Sequence, residues 1–163
     1  MFIFAVEKIK EKWKKYLIIC MLALCALGVL LAVLCINGNK MPESATCDEI
    51  GEYSLSADSL KSETEFLEQF GLTPDAESLV SDEVVIPSDF NQTYAEYNRL
   101  QQEIGLDLRN YKGVSAKRDI FKLENYESDG KEYYATLLIY KDKVIGGHIG
   151  TKIYSDEYRS LAN

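Results

Sequence analysis

A single histidine, His148, serves the whole 163-residue chain. One imidazole cannot build a zinc site without further His or Cys partners, and the sequence offers no H-x-x-x-H or C-x-x-C spacing. No serine or cysteine nucleophile motif accompanies it, so the usual triad arrangements have no foothold. Cysteine is equally thin. Cys20, Cys25 and Cys35 lie inside one apolar run, and Cys47 alone lies outside it. The polar part of the chain therefore has no internal disulfide, and Cys47 either pairs between chains or stays a free thiol. There is no G-x-G-x-x-G phosphate loop. Gly146-Gly147 and Gly150 sit in a strand pattern and read as a bulge or a close backbone approach. Beyond residue 40 positive charge is scarce, with 12 Lys and Arg against 24 Asp and Glu. A face that acidic argues against nucleic acid, whose phosphates require a basic surface. No metal and no cofactor is expected.

What the chain does have is a long apolar stretch. Tyr16 to Ile36 is 21 residues without a charge or a proline. As a helix it would span about 30 Å, the thickness of the hydrocarbon core. Lys8, Lys10, Lys12, Lys14 and Lys15 precede it, and Lys40 alone follows before the acidic region. The positive-inside rule then places the N-terminus in the cytoplasm and the rest outside. The run is longer than a signal-peptide core and lacks a clean small-residue cleavage site, so it reads as an uncleaved anchor. The expected organisation is a basic flank over 1–15, a transmembrane helix over 16–36, a stalk over 37–60 and an extracytoplasmic domain over 61–163. Phe2, Val6, Ile9, Trp13 and Tyr16 recur at helical spacing in the flank.

Within the domain the first helix is expected from Glu63 to Phe70, with Ser62-x-x-Glu65 as capping box and Gly71 past its end. Asp82 to Pro87 reads as a strand ended by proline. A second helix from Gln92 to Ile104 is capped by Asp89 or Asn91 and closed by Gly105. Three strand signals follow. These are Val114 to Leu123, then Tyr133 to Tyr140 after an Asp-Gly turn, then Val144 to Ile153 after Lys141-Asp142-Lys143. The order α-β-α-β-β-β predicts an α+β fold, two helices packed on one face of an antiparallel sheet. Simple alternation in the last strand puts Ile145, Gly147 and Ile149 on the core face and turns His148 outward.

The combination Phe66-Leu67-x-x-Phe70-Gly71, Val85-Ile86-Pro87-x-x-Phe90-x-x-x-Tyr94-x-x-Tyr97-Asn98-x-x-Gln101 and Gly105-x-Asp107-Leu108-x-x-Tyr111-x-Gly113 resembles an uncharacterised family of small membrane-anchored proteins in Gram-positive bacteria. That family is known only as a domain of unknown function. Asn125-Tyr126, the run Ala135 to Tyr140, and Val144-Ile145-Gly146-Gly147 extend the resemblance to about residues 62–150. His148 stands where the family pattern is often acidic, and Leu72 where it is often aromatic. The resemblance implies no activity.

Tyrosine is the one abundant residue of note, with 11 in the chain. Such rings either edge a small core or form a binding surface. Tyr94, Tyr97, Asn98 and Gln101 share a helical face, and Asp107 and Tyr111 lie in the loop that follows. These six are the candidate binding residues. Asp107 is expected to cap a turn or to pair with Arg118 or Arg99. The functional expectation is a single-pass protein whose outer domain binds an envelope protein or peptide without catalysis. Two alternatives stay open: an envelope hydrolase using carboxylates with His148, and an accessory subunit of a membrane complex. A hydrolase requires His148 in a cleft beside at least two carboxylates.

Overall fold

The computed structural model describes residues 13, 16–17, 19–30, 40–124, 126, 130–151 and 158–162. The chain divides into two units, Met1–Lys40 and Met41–Asn163. In the first, residues 19–30 are helical and their side chains exposed. Among the described residues no helix is long and apolar enough to cross a membrane. The expected span also takes in residues 18 and 31–36, which lie outside the described residues, as do the five lysines of the flank and Phe2, Val6 and Ile9.

The second unit is α+β. Its strands are β1 (Ser44–Cys47), β2 (Gly51–Ser54), β3 (Pro74–Val85), β4 (Ser115–Leu123), β5 (Tyr133–Tyr140), β6 (Lys143–Gly150) and β7 (Tyr158–Arg159). Its helices are α1 (Leu60–Gln69) and α2 (Gln92–Glu103), with a 3-10 turn over Leu108–Tyr111. β1 and β2 form a hairpin of their own, and the other five strands make one antiparallel sheet in the order β3-β4-β5-β6-β7.

The expected stalk is corrected here, because residues 44–57 belong to the folded unit. Cys47, Tyr53, Leu55 and Ala57 are buried in its core. Leu55 accepts from Val144 N–H at 2.9 Å and Ala57 donates to Asp142 at 2.9 Å, which stitches this segment to the start of β6. Cys47 is accordingly a buried free thiol.

Helix α1 begins one turn earlier than expected. Ser59 is its N-cap, and Ser59 and Ser62 exchange side chain to backbone hydrogen bonds, so the capping box is Ser59-x-x-Ser62. Gly71, at φ +72°, ends it as expected. Strand β3 is twice the expected length. Its first half carries a bulge between Asp75 and Val80. There the Ser78 hydroxyl accepts from Lys122 N–H at 2.8 Å, standing in for a strand carbonyl. Helix α2 matches its expected span closely, with Asn91 as cap and Gly105 at φ +76° past its end. The 127–129 part of the β4–β5 turn and residues 152–157 lie outside the described residues.

The sheet is covered on both faces rather than one. Along β5, Tyr133, Ala135, Leu137 and Ile139 join Phe66 and Leu67 of α1 in one apolar cluster. Leu138 between them joins a second cluster with Ile86, Leu108, Ala116 and Ile145, against which Tyr94, Tyr97 and Tyr111 pack. Alternate residues point to opposite faces, so α1 and α2 lie on opposite sides.

The facing of β6 also differs from simple alternation. Its register with β5 shifts between Leu138 and Ile139, and Ile145 is the extra residue. Val144 and Ile149 therefore sit in the α1-side cluster, while Ile145 sits in the other. His148, opposite Thr136, is turned towards α2 and half-buried rather than facing out.

Candidate functional site

On the α2 side the covering is incomplete, and a cleft of about 300 Å³ remains between the end of β3, α2 and the middle of the sheet. Its aliphatic wall is Val84, Val85, Pro87 and Leu138, and its polar edge is Thr93, Thr136 and Arg118. Tyr94, Tyr97, Tyr158 and His148 form the aromatic wall. The rings meet edge to face. Tyr97 lies 5.4 Å from His148 and 5.7 Å from Tyr158, and His148 lies 4.5 Å from Tyr158. Phe90 and Tyr94 continue the row at 4.8 Å. These separations fall in the range where ring quadrupoles attract.

His148 Nδ1 is 2.9 Å from the Tyr97 hydroxyl. Burial, reinforced by the charge of Arg118, pulls the imidazole down to about 4, so the ring is neutral at pH 7. Burial pushes the Tyr97 phenol well above its ordinary value, and Tyr94 and Tyr158 add to the effect. Arg118 crosses from β4 to β3, where its Nε donates to Asp82 at 2.7 Å. That bond holds Asp82 below the usual carboxylate range. The cleft thus presents a neutral imidazole, the protonated phenols of Tyr94 and Tyr97 and one guanidinium. No carboxylate lines it among the described residues. Nor do the described residues contain a group of three His, Cys, Asp or Glu that could hold a metal.

Of the six candidate binding residues, Tyr94 and Tyr97 line this cleft. The others do structural tasks. Asn98 is buried, donates to Asp107 at 3.0 Å and accepts from Leu108 N–H at 2.8 Å. Gln101 is fully buried and accepts at 2.6 Å from Gly147 N–H, which satisfies a backbone donor at the open side of β6. Asp107 caps the 3-10 turn and pairs with Arg109, rather than with Arg118 or Arg99. Tyr111 packs at 6.2 Å against Tyr140, away from the cleft lining. Arg118, Thr136, His148 and Tyr158 were not among the six. The one signal for His148 in the sequence is its alternation with Gly147 and Ile149, which puts it on the face that α2 covers.

A second polar cluster lies on the α1 face. Lys117 Nζ is 2.7 Å from Glu63 Oε1 and 2.6 Å from Asp119 Oδ2. Ser81 donates to the other Asp119 oxygen at 2.5 Å. Both carboxylates are buried, and Glu63 Oε2 has no hydrogen-bond partner. Burial raises the Glu63 carboxyl, with Lys117 opposing and Asp119 adding to the rise. Two acids share one ammonium there.

A family model described as "Domain of unknown function (DUF4830)" matches residues 66–149, more than half of the chain. The match covers α1 from Phe66, β3, α2, the 3-10 turn, β4, β5 and β6 to Ile149, so every lining residue of the cleft except Tyr158 falls within it. No curated protein and no solved structure matches.

Proposed function

The chain belongs to the DUF4830 family, and on that premise, which carries no activity, we propose that it is a single-pass membrane-anchored protein whose outer domain binds a ligand without catalysis. The observation that carries the binding half is the cleft. It is open, aromatic and of ligand-binding size, and it combines apolar walls with a few convergent polar groups. The hydrolase alternative needs two carboxylates beside His148, and the lining supplies none among the described residues. A neutral imidazole held by a phenol can donate, accept and stack, which suits recognition.

The anchoring half rests on sequence and exposure. The apolar run Tyr16 to Ile36 is uncharged, and its described large side chains stand open, Leu17 at 60% and Leu24 at 68% exposed. Surface of that kind requires a covering, and lipid is the covering that a five-lysine flank predicts. The partner of the outer domain would be an envelope protein or peptide.

Protease added to intact protoplasts tests the topology. The expected result is loss of residues 41–163 with survival of a short membrane-protected fragment. Survival of the full chain, while a surface control is digested and a cytoplasmic control is not, would reverse the orientation.

A further inference from the structure

We propose that the free edge of β3 accepts an extended, cationic peptide segment as an added strand, which runs from the edge into the mouth of the aromatic cleft. This rests on the cleft being a binding site, as argued above.

β3 is the terminal strand of the five-stranded sheet. Ile86 N–H donates to Val114 and its carbonyl accepts from Gly113, so position 86 points inward to the β4 side. Backbone direction alternates along a strand, and the register is unbroken from Val80 to Val85. The N–H and C=O groups of Ser81, Glu83 and Val85 therefore point outward. None of these outward backbone groups is bonded to another described backbone group or side chain, which leaves a row of donors and acceptors spaced for one further strand.

Natural sheets blunt such an edge with lysine, proline, a bulge or a covering element. The first half of β3 has its bulge and its proline, Pro74. The second half has neither, and it exposes Val80 at 53% and Val85 at 66%. Val84 and Val85, where the edge ends, already line the cleft. A strand laid on the edge thus delivers a side chain to Tyr94 and Tyr97. Main-chain bonds would supply affinity and the cleft would supply specificity.

Charge selects the occupant. β3 carries Asp75, Glu77, Asp82 and Glu83 and not one Lys or Arg. A second copy of this chain pairing antiparallel about the centre of the free edge would set Glu83 opposite Glu83, a destabilising cross-strand pair. A segment bearing lysine or arginine at alternate positions has the complementary sign, and the domain as a whole reinforces it with 24 acids against 12 bases beyond residue 40.

The test uses the full chain in detergent micelles with two synthetic probes. One is an alternating lysine–valine peptide with a central tyrosine, and the other is its glutamate counterpart. The cationic peptide should bind at least about tenfold more tightly, and should slow amide exchange at Ser81, Glu83 and Val85 by about tenfold or more. Glu83→Pro removes an outward N–H without touching the inner ladder, so it should abolish this protection while the chain stays folded. Glu83→Lys keeps the backbone and should shrink or reverse the preference between the peptides. Shifts at Tyr97 and His148 with no protection along the edge would overturn strand addition and leave the cleft as the site. Edge protection with an unperturbed cleft would overturn the cleft reading instead. Failure of both peptides to bind at millimolar concentration, or equal binding of the two, would overturn the proposal.

Discussion

The two faces of the central sheet are built from similar residues and finished differently. On the α1 side, Phe66, Leu67, Phe121, Leu137 and Ile149 interlock with the β1–β2 hairpin, and almost every large side chain is buried. On the α2 side, five buried residues are skirted by partly buried rings, Phe90, Tyr94, Tyr97, Tyr111 and Tyr140. The reason lies in helix composition and placement. α1 buries Phe66 and Leu67, whereas the buried residues of α2 are the polar Asn98 and Gln101, spent on tying the helix to the 3-10 turn and to β6. Its tyrosines are left to roof the sheet, and they roof it with a gap. One face is a closed core, and the other is a core left partly open.

Truncating the core face should produce the largest effect. Phe66→Ala removes a ring that touches both Tyr53 and Phe70, and a cost of about 3–5 kcal/mol is expected. Tyr94→Ala, on the open face, should cost roughly 1 kcal/mol, because the solvent-facing side of the ring loses nothing. Denaturant melts of the two variants check this. Equal losses would mean that the α2 face is packed as tightly as the other, and the distinction drawn above would fail.

A smaller effect separates the faces by pH. His148 has a folded value of about 4 against an ordinary 6.5. The unfolded chain therefore takes up its proton first. The stability held by the neutral ring is complete above pH 6.5 and is lost as pH falls towards 4. At about 1.4 kcal/mol per pH unit the ceiling is near 3.5 kcal/mol, which partial exposure of the ring trims to roughly 2 kcal/mol. The groups that face the ring are Tyr97, Tyr158, Thr136 and Arg118, and no carboxylate is among them. A His148→Phe variant should flatten the stability curve between pH 6.5 and 4 relative to the parent. Parallel curves for the two would show that the imidazole is solvated, as an outward-facing residue would be.

That contrast also shows how far the chain could be read without its structure. α2 was legible because its signals are local: Asn91 caps it and Gly105 ends it at positive φ. β5 was legible because it is apolar on both sides. The β1–β2 hairpin was not, since Tyr53, Leu55 and Cys47 are too few to mark a pattern, and their burial depends on α1 and β6 from elsewhere. The first half of β3 was hidden by its polar residues and bulge. In the cleft, helical spacing found Tyr94 and Tyr97. Alternation put His148 on the face opposite Ile149 correctly but left that face open, because nothing local shows that α2 covers it; the extra residue at Ile145 swaps only Val144 and Ile145 between the faces. Arg118 and Tyr158 join the cleft through sheet pairing that no local pattern contains.

The smallest expected effect concerns a buried charged cluster on the α1 face. Glu63 and Asp119 are both buried, and Lys117 is the ammonium that serves both. Burial raises the Glu63 carboxyl above its ordinary 4.5. The folded chain therefore holds that proton more firmly than the unfolded chain does. The corresponding stability is complete below pH 4.5 and is lost as pH rises through the folded value. Glu63→Gln keeps the size of the side chain and an oxygen that can accept from Lys117, and it removes the surplus negative charge. Asp119 retains both Lys117 and Ser81. At pH 7 the substitution should therefore change stability by no more than about 1 kcal/mol in either direction, because a lost charged hydrogen bond is offset by relief of a buried acid. The decline of the parent above pH 4.5 should be weaker in the variant. Melts at pH 4 and pH 7 measure both quantities. A loss above about 2 kcal/mol at pH 7 would show that Glu63 is ionised and well satisfied, and that this face tolerates its charges rather than being strained by them.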